Sequence, residues 1–307
     1  MVNRQERYGF VLPVRNGGHY IKDCIESIRA QTIPEFTLFV LDNQSTDGTV
    51  DWIRSLNDPR IRILPAAASL TIEENWARIV GIHKTEFITL TGHDDWFHSR
   101  YLEVMEQLID RHPDASLYFA HFHYIDAAGK KIRDCKPMAE RITPRDFVSL
   151  FLNNMIESMG TGYFMRAADY DRAGGIPMYP NLLFADFELW FRLLQPTYMA
   201  VAFDDLFAFR LHQSTTTISS NQKFQAAFHR FIQFLKTLKQ DKELDGAIQR
   251  YGVKFIAFYT KGLAHRLLRT AKSQRPEESV EKLGAICKTY ADELVPGNDF
   301  DPFSAFS

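Results

Sequence analysis

The sequence predicts an α/β architecture: a mostly parallel sheet flanked by helices, followed by a C-terminal helical appendage. Two observations carry this. Residues 8–111 alternate short apolar β-rich runs with stretches of helical periodicity, the pattern of successive crossover units. From about Asn221 onward the apolar spacing is helical throughout. A third observation bears on chemistry: acidic residues recur where the predicted strands end, the edge at which open parallel sheets bind ligands.

Taken in order, Tyr8 to Val14 (YGFVLPV) reads as the first strand, closed by Asn16-Gly17-Gly18. Residues 19–32 follow with helical spacing at Tyr20, Ile21, Cys24, Ile25 and Ile28. Phe36 to Leu41 is a second strand, leading into Asp42-Asn43-Gln44-Ser45-Thr46-Asp47-Gly48, where Thr46 or Asp47 can cap a helix over about 49–56. Ile61 to Leu64 is a third strand. Thr71 and Glu74 have capping-box spacing for a helix reaching about His83. Glu86 to Thr91 is a fourth strand, ending in Gly92-His93-Asp94-Asp95, and a helix is expected over about 99–111. Beyond Pro113 the alternation breaks. Residues 115–126 and 130–134 read as a hairpin, 144–153 as a helix, 162–166 as a strand, 186–194 as a helix, and 198–203 and 206–211 as two strands. A boundary near Ser219-Ser220 divides the chain into 1–220 and a helical 221–307.

Composition narrows the class. The 307 residues are 45% hydrophobic and 24% charged, which excludes global disorder and fibrous repeats. A net charge of -2 supplies no global attraction for nucleic acid. Cys24, Cys135 and Cys287 are scattered without a CxxC pair, so neither a disulfide framework nor a structural zinc site is expected. No apolar run approaches the ~18 residues of a membrane span, and Met1 to Arg7 is polar rather than signal-like. The expected location is the cytoplasm.

Three acidic sites fall at the predicted ligand edge: Asp42, the pair Asp94-Asp95, and Asp186 with Glu188. Adjacent aspartates are costly unless they meet a cation or hydrogen-bond donors, and hard divalent ions prefer carboxylate oxygens. Each site alone also fits a structural role. Asp42 and Asp47 suit turns and caps, Asp94-Asp95 a solvated turn before a helix, and Asp186 the first turn of one. Their joint placement on one edge favours chemistry.

The segments FVLPVRNGGHYIKDCIESIRAQT (10–32), LDNQSTDGT (41–49) and EFITLTGHDDWF (86–97), then ADFELWFRLL (185–194) and FRLHQS (209–214), resemble in order and spacing the family 2 glycosyltransferases of the GT-A fold. The likeness spans about the first 215 residues. It implies a GT-A-like (Rossmann-like) sheet and inverting transfer of a sugar from a nucleotide diphosphate sugar, most simply a UDP-sugar, to a glycan or lipid-linked acceptor in cell-surface polysaccharide synthesis. Pro13, Val14 and Asn16 would line the nucleotide pocket. Asp42 would bind the base or ribose, with Asn75 and Arg78 nearby. Asp94 would contact ribose or sugar. Asp95 would hold Mn²⁺ or Mg²⁺, with His212 as a further metal or diphosphate contact. Asp186 matches the catalytic base, and Glu188 is a backup. Two positions depart from the family pattern: Asn43 follows Asp42 where a second acid is common, and His93 stands for the usual first acid of the metal motif.

No GxGxxG, GxxxxGK[ST] or GxGxR-type loop is present, which disfavours a dinucleotide enzyme, a P-loop enzyme and a sugar nucleotidyltransferase. A non-catalytic nucleotide- or glycan-binding module is the remaining alternative. Met159-Gly160-Thr161-Gly162 reads either as part of the acceptor side or as a turn. Residues 221–275 carry twelve Lys or Arg against three Asp or Glu, whereas 276–307 carry two against seven. The basic stretch suits either a solvated outer face or peripheral contact with an anionic membrane.

Overall fold

The computed structural model describes residues 7–212, 220–269 and 279–303. Gln213 and Ser214 of the FRLHQS segment, Ser219 at the expected boundary, and Lys272 and Arg275 of the basic stretch lie outside the described residues.

The sheet is built outward from β1 (Tyr8–Val14). It pairs in parallel with β2 (Thr37–Asp42) on one side and β4 (Phe87–Leu90) on the other, and β3 (Ile61–Ile63) adds beyond β2. All of β1, β2 and β4 is buried, which explains why these runs read as continuously apolar rather than alternating. Helices α1 (Tyr20–Arg29), α2 (Thr49–Ser55) and α3 (Ile72–Ala77) lie in the crossovers, and α4 (Tyr101–Arg111) follows β4 and a two-residue β5 (Trp96–Phe97). With β6 (Leu117–Ile125), β9 (Phe164–Arg166) and β10 (Met199–Arg210), the strand order is β3-β2-β1-β4-β9-β6-β10-β5.

Past β4 the sheet becomes mixed. β9 (Phe164–Arg166) runs antiparallel between β4 and β6 (Leu117–Ile125), and β10 (Met199–Arg210) is again parallel to β6. β7 (Lys131–Asp134) forms the expected hairpin with β6, and β8 (Arg141–Ile142) pairs antiparallel with β10. Where two strands were expected, β10 is one, because its ladder to β6 resumes after register shifts between Ala202 and Phe207 that leave Asp204 and Asp205 exposed.

Local differences have local causes. The Thr71–Glu74 capping box forms as expected, but α3 ends at Ala77 and continues as a 3-10 turn, Arg78–Gly81. There the Lys84 ammonium takes the carbonyls of Ile79, Val80 and Ile82 and closes the chain. Gly48 is the residue that opens α2, at φ 84°, a left-handed conformation costly for Thr46 or Asp47. Asp47 still contributes, its Oδ1 accepting the Thr49 N–H at 3.1 Å. β5, β8 and α6 (Ala167–Arg172) were not expected, being too short to show a period.

The chain divides into two compact units. The first holds the sheet with α1–α4, α6 and α7 (Ala185–Leu194). The second holds α5 (Pro144–Leu152), Tyr179–Phe184, α8 (Asn221–Leu238), α9 (Lys242–Arg269) and α10 (Val280–Leu294). Thus two segments upstream of residue 220 join the helical unit, and apolar packing accounts for this. Phe151 of α5 lies 5.9 Å from Phe231 of α8 and 5.6 Å from Phe255 of α9, and Phe184 stacks on Phe231 at 4.9 Å.

In the first unit Tyr163 is stacked between Phe119 at 3.9 Å and Trp190 of α7 at 4.2 Å. The Trp190 Nε1–H donates to Met159 O at 2.6 Å. This buried stack ties α7 to the start of β9. Trp190→Ala is expected to cost about 3–5 kcal/mol, measured by chemical denaturation, whereas Trp190→Phe keeps the stack and loses less.

Candidate active site

Parallel pairing sets the site. Because β1, β2 and β4 run the same way, their following loops emerge side by side, and strand order reverses direction at β1. The loops after β1 and β2 are stitched by four hydrogen bonds. Asn16 N–H donates to Ser45 Oγ (2.8 Å), Gly17 N–H to Thr49 Oγ1 (3.0 Å), Gly18 N–H to Asp47 Oδ2 (2.9 Å) and Thr46 N–H to Asn16 Oδ1 (2.8 Å). Asn16 is exposed at φ 54°. Pro13 and Val14 are buried strand residues, Val14 directly opposite Asp42.

Asp42 ends β2 almost fully buried and accepts the Ser45 N–H at 3.2 Å. Asn75 and Arg78 brace this strand end from below. Asn75 Nδ2 donates to Leu41 O, and Arg78 donates to Asn75 Oδ1, Asp42 O and Leu64 O. Asn43 replaces a second acid and is fully used, bonding Leu70 through both ends of its amide.

After β4 the chain turns sharply through Gly92. Its N–H donates to Asp95 Oδ2 at 3.0 Å. A Cβ at this position would stand 2.6 Å from Asp94 Oδ1 and 3.1 Å from Asp95 Oδ2, so only glycine leaves both carboxylates in place. Beneath it the buried Cys24 thiol donates to Gly92 O at 3.3 Å. Asp95 is 2% exposed, and burial together with the neighbouring Asp94 charge pushes its carboxyl well above the usual range. His93 is pushed the other way, chiefly by burial, with the adjacent His212 adding to the effect, so its ring is held neutral near pH 7. His212 Nε2 lies 2.5 Å from Asp94 Oδ2.

Two residues passed over from the sequence hold this corner. Arg210 is buried at the end of β10 and donates to Asp94 O (3.1 Å), Asp126 O (3.4 Å), Ala127 O (3.3 Å) and Asp23 Oδ2 (3.3 Å). The Arg210 guanidinium lies over the Tyr20 ring at 4.6 Å, and the His212 ring lies 4.9 Å from it. The Arg-x-His spacing was the only signal for Arg210, and the sequence marked Tyr20 only as part of a helical apolar stripe.

Asp186 arrives from α7. Its charge acts on Tyr163, two residues along from Thr161, which lies beside Asp95. The segment 161–163 therefore runs from the side of Asp95 to the packing surface of the helix that carries Asp186. Its centre is pinned to the sheet by Gly162 N–H donating to Leu90 O at 3.1 Å and by Tyr101 Oη donating to Gly162 O. Part of the Asp186 surface reaches solvent, yet its apolar surroundings push the carboxyl up to about 6, against backbone donors such as Phe187 N–H at 2.9 Å. Three residues just before α7 have left-handed backbone: Asn181, Leu182 and Phe184, at φ 52°, 57° and 67°. Glu188, the backup base, is buried in an ion pair with Arg192.

Among the described residues no group of three or more His, Cys, Asp or Glu is gathered as a metal cage. A hard divalent ion bridging substrate phosphates needs only one or two protein carboxylates. Asp95 suits such an ion. Its charge is poorly compensated where it stands, and the buried Thr161 hydroxyl beside it makes no hydrogen bond of good geometry.

The chain belongs to glycosyl transferase family 2, whose model matches residues 10–172, more than half its length. Among solved structures, Staphylococcus aureus TarS 1–349 in complex with UDP-GlcNAc superposes with a TM-score of 0.69 at 12% identity, covering 94% of this chain and 81% of that one, which establishes the GT-A fold. The putative teichuronic acid biosynthesis glycosyltransferase TuaG of Bacillus subtilis is 26% identical over 238 residues, 74% of this chain and 86% of TuaG. Glycosyltransferase GlyG of Streptococcus pneumoniae is 25% identical over 123 residues, 39% of this chain. The chain spans 40% of the length of GlyG and 12% of that of a further relative from Sinorhizobium fredii.

Two expectations follow. Gly92→Ala should leave the melting temperature nearly unchanged, because the displaced atoms are side-chain tips, yet, for a site that takes Mn²⁺ and a nucleotide at Asp94 and Asp95, weaken that binding by about 10–100-fold in calorimetry. Asp186→Asn should stabilise the protein at pH 7.5. The folded carboxyl titrates at about 6 rather than 3.8, so its favourable contribution is complete below the unfolded value and is lost as pH rises through about 6. Thermal unfolding should show the gain at pH 7.5 and little of it near pH 4.

Proposed function

We propose that this chain is an inverting glycosyltransferase that moves a sugar from a UDP-sugar to a hydroxyl of a glycan or lipid-linked acceptor in cell-surface polysaccharide synthesis. It would act at the inner face of the cell membrane. The observation that carries the reading is that Asp95 and the helix bearing Asp186, ninety-one positions apart, meet at the same three-residue segment, Thr161 beside Asp95 and Tyr163 stacked on Trp190, in a chain of this family. TarS crystals with UDP-GlcNAc and UDP support a uridine nucleotide donor.

In this reading the base and ribose lie on the β1 and β2 loops, against Pro13, Val14 and Asn16, with the Asp42 carboxylate accepting donor hydroxyls or N–H groups. Asn75 and Arg78 keep that carboxylate in place through the backbone. Asp94, oriented by His212 and by Arg210 on its carbonyl, meets the ribose or sugar. Asp95, assisted by His212, would hold Mn²⁺ or Mg²⁺, which when bound offsets the charge growing on the departing diphosphate. Asp186 takes the acceptor hydroxyl proton as the acceptor oxygen forms its bond to the anomeric carbon. The bond from that carbon to the diphosphate oxygen breaks on the opposite face, and the nucleoside diphosphate leaves with the electron pair. A carboxyl titrating at about 6 is a stronger base than an ordinary aspartate and is still ionised at neutral pH.

UDP with Mn²⁺ should raise the melting temperature of the wild-type protein through ligand linkage, and Asp95→Ala should abolish the metal-dependent part. Equal shifts with and without metal would remove the metal role. Asp186→Asn should lose on the order of 10²-fold or more in turnover while keeping the UDP shift. The acid limb of wild-type kcat/KM should fall near pH 6, and a limb near pH 4 would remove Asp186 as the base.

A further inference from the structure

The second unit carries an apolar cavity of about 260 Å³ between α5 and α9, just under the range of ordinary small-molecule pockets. Phe151, Leu152, Ile156 and Phe255 form its wall, with Phe258 and Lys254 also lining it. Phe258 is 58% exposed, a large apolar side chain left in solvent beside an apolar hollow. Lys254 Nζ donates to Asn153 Oδ1 at 2.7 Å, a neutral partner that leaves its charge uncompensated.

Along α9 the same face continues. Tyr251, Lys254, Phe258, Lys261, His265 and Leu268 follow one another at steps of three and four and so share one stripe. All but the partly buried Tyr251 are exposed. Residues 246–269 contain five Lys or Arg and no Asp or Glu. Neither Lys254 nor Lys261 has a carboxylate partner among the described residues. The opposite face, with Ile248, Phe255, Ile256, Leu263 and Leu267, is buried in the helical unit.

Cations alone would suit any polyanion. An exposed phenylalanine between those cations and an exposed leucine beyond them, with a hollow beside the phenylalanine of a size to take part of a hydrocarbon chain, select an anionic amphiphile. We propose that the Tyr251–Leu268 face of α9 docks on anionic phospholipid, Lys254 and Lys261 meeting phosphate headgroups, with Phe258 inserted and an acyl chain entering the cavity. This deepens the membrane contact in the functional reading above and rests on it.

The test is co-sedimentation of the full chain with vesicles of phosphatidylglycerol and phosphatidylcholine, against vesicles of phosphatidylcholine alone. Binding to the acidic vesicles only is expected. The K254E/K261E double variant should lower partitioning on the order of tenfold or more, and Phe258→Ser should lower it several-fold, both with unchanged melting temperatures. Free glycerol phosphate should not displace the protein from the vesicles. Absence of binding to acidic vesicles, or displacement by glycerol phosphate, overturns the proposal. So does a Phe258→Ser variant that binds as wild type, since the face would then be attracting charge alone. A concentration-dependent dimer in sedimentation velocity that Phe258→Ser dissolves would assign the face to a second copy instead. Both variants should keep the UDP-induced thermal shift. A wild-type protein that binds acidic vesicles but shows no UDP shift would sink the donor reading and leave this one standing.

Discussion

β1 is hydrogen-bonded on both sides to parallel partners, and the placement of the site follows from that pairing. Parallel strands end on the same edge, so the loops carrying Asn16, Asp42 and Asp94-Asp95 have nowhere to go but beside one another. The ladder extends past the strands, with Asn43 N–H donating to Val14 O and Thr91 N–H to Val11 O, which holds the loop roots rigid before any side chain acts. Antiparallel β9 then delivers its beginning to the end of β4, and the Phe119-Tyr163-Trp190 stack packs the middle of α7 against the residues that lead into β9. One register decision therefore positions carboxylates that come from three separate stretches of chain.

The corner so formed is electrostatically uneasy. Asp94 and Asp95 are adjacent, Asp95 is buried, and His93 is held neutral rather than cationic. The protein manages this with backbone and with one buried cation. Gly92 lends an N–H, Cys24 holds the Gly92 carbonyl, and Arg210 spreads its donors over three carbonyls and Asp23 instead of neutralising the pair directly. Such an arrangement keeps shape without satisfying charge, and in the function proposed above a bound cation would make up that deficit. Asp186 is handled differently. Among the described residues no cation lowers it, so burial dominates and its affinity for a proton rises.

The helical unit obeys other physics. Aromatic contacts among Phe151, Phe184, Phe228, Phe231, Phe255 and Tyr259 assemble α5, α8 and α9 and a segment from the middle of the chain into one core. Side-chain caps from Ser220 and Ser279 set the starts of α8 and α10. Among the described residues no helix is long and apolar enough to cross a membrane, and the charge of α9 sits on the face that this packing leaves outside.

Much was readable from sequence because local physics repeats along the chain. The buried runs of β1, β2 and β4, the Thr71–Glu74 capping box, the helical stripes after residue 221 and the acids at strand ends all express short-range periodicity or placement. The family resemblance ordered those acids into roles. Tertiary structure alone decided the rest. The insertion of β9, the fusion of two expected strands into β10 and the capture of α5 by the helical unit depend on partners dozens to over a hundred residues away. So do Arg210 bracing Asp94 and Tyr20 lying against His212, contacts that span more than a hundred positions. A sequence reports what a residue is and what its neighbours are, whereas a pairing register reports which distant groups must share space, and burial, and hence the basicity of Asp186, exists only after that sharing.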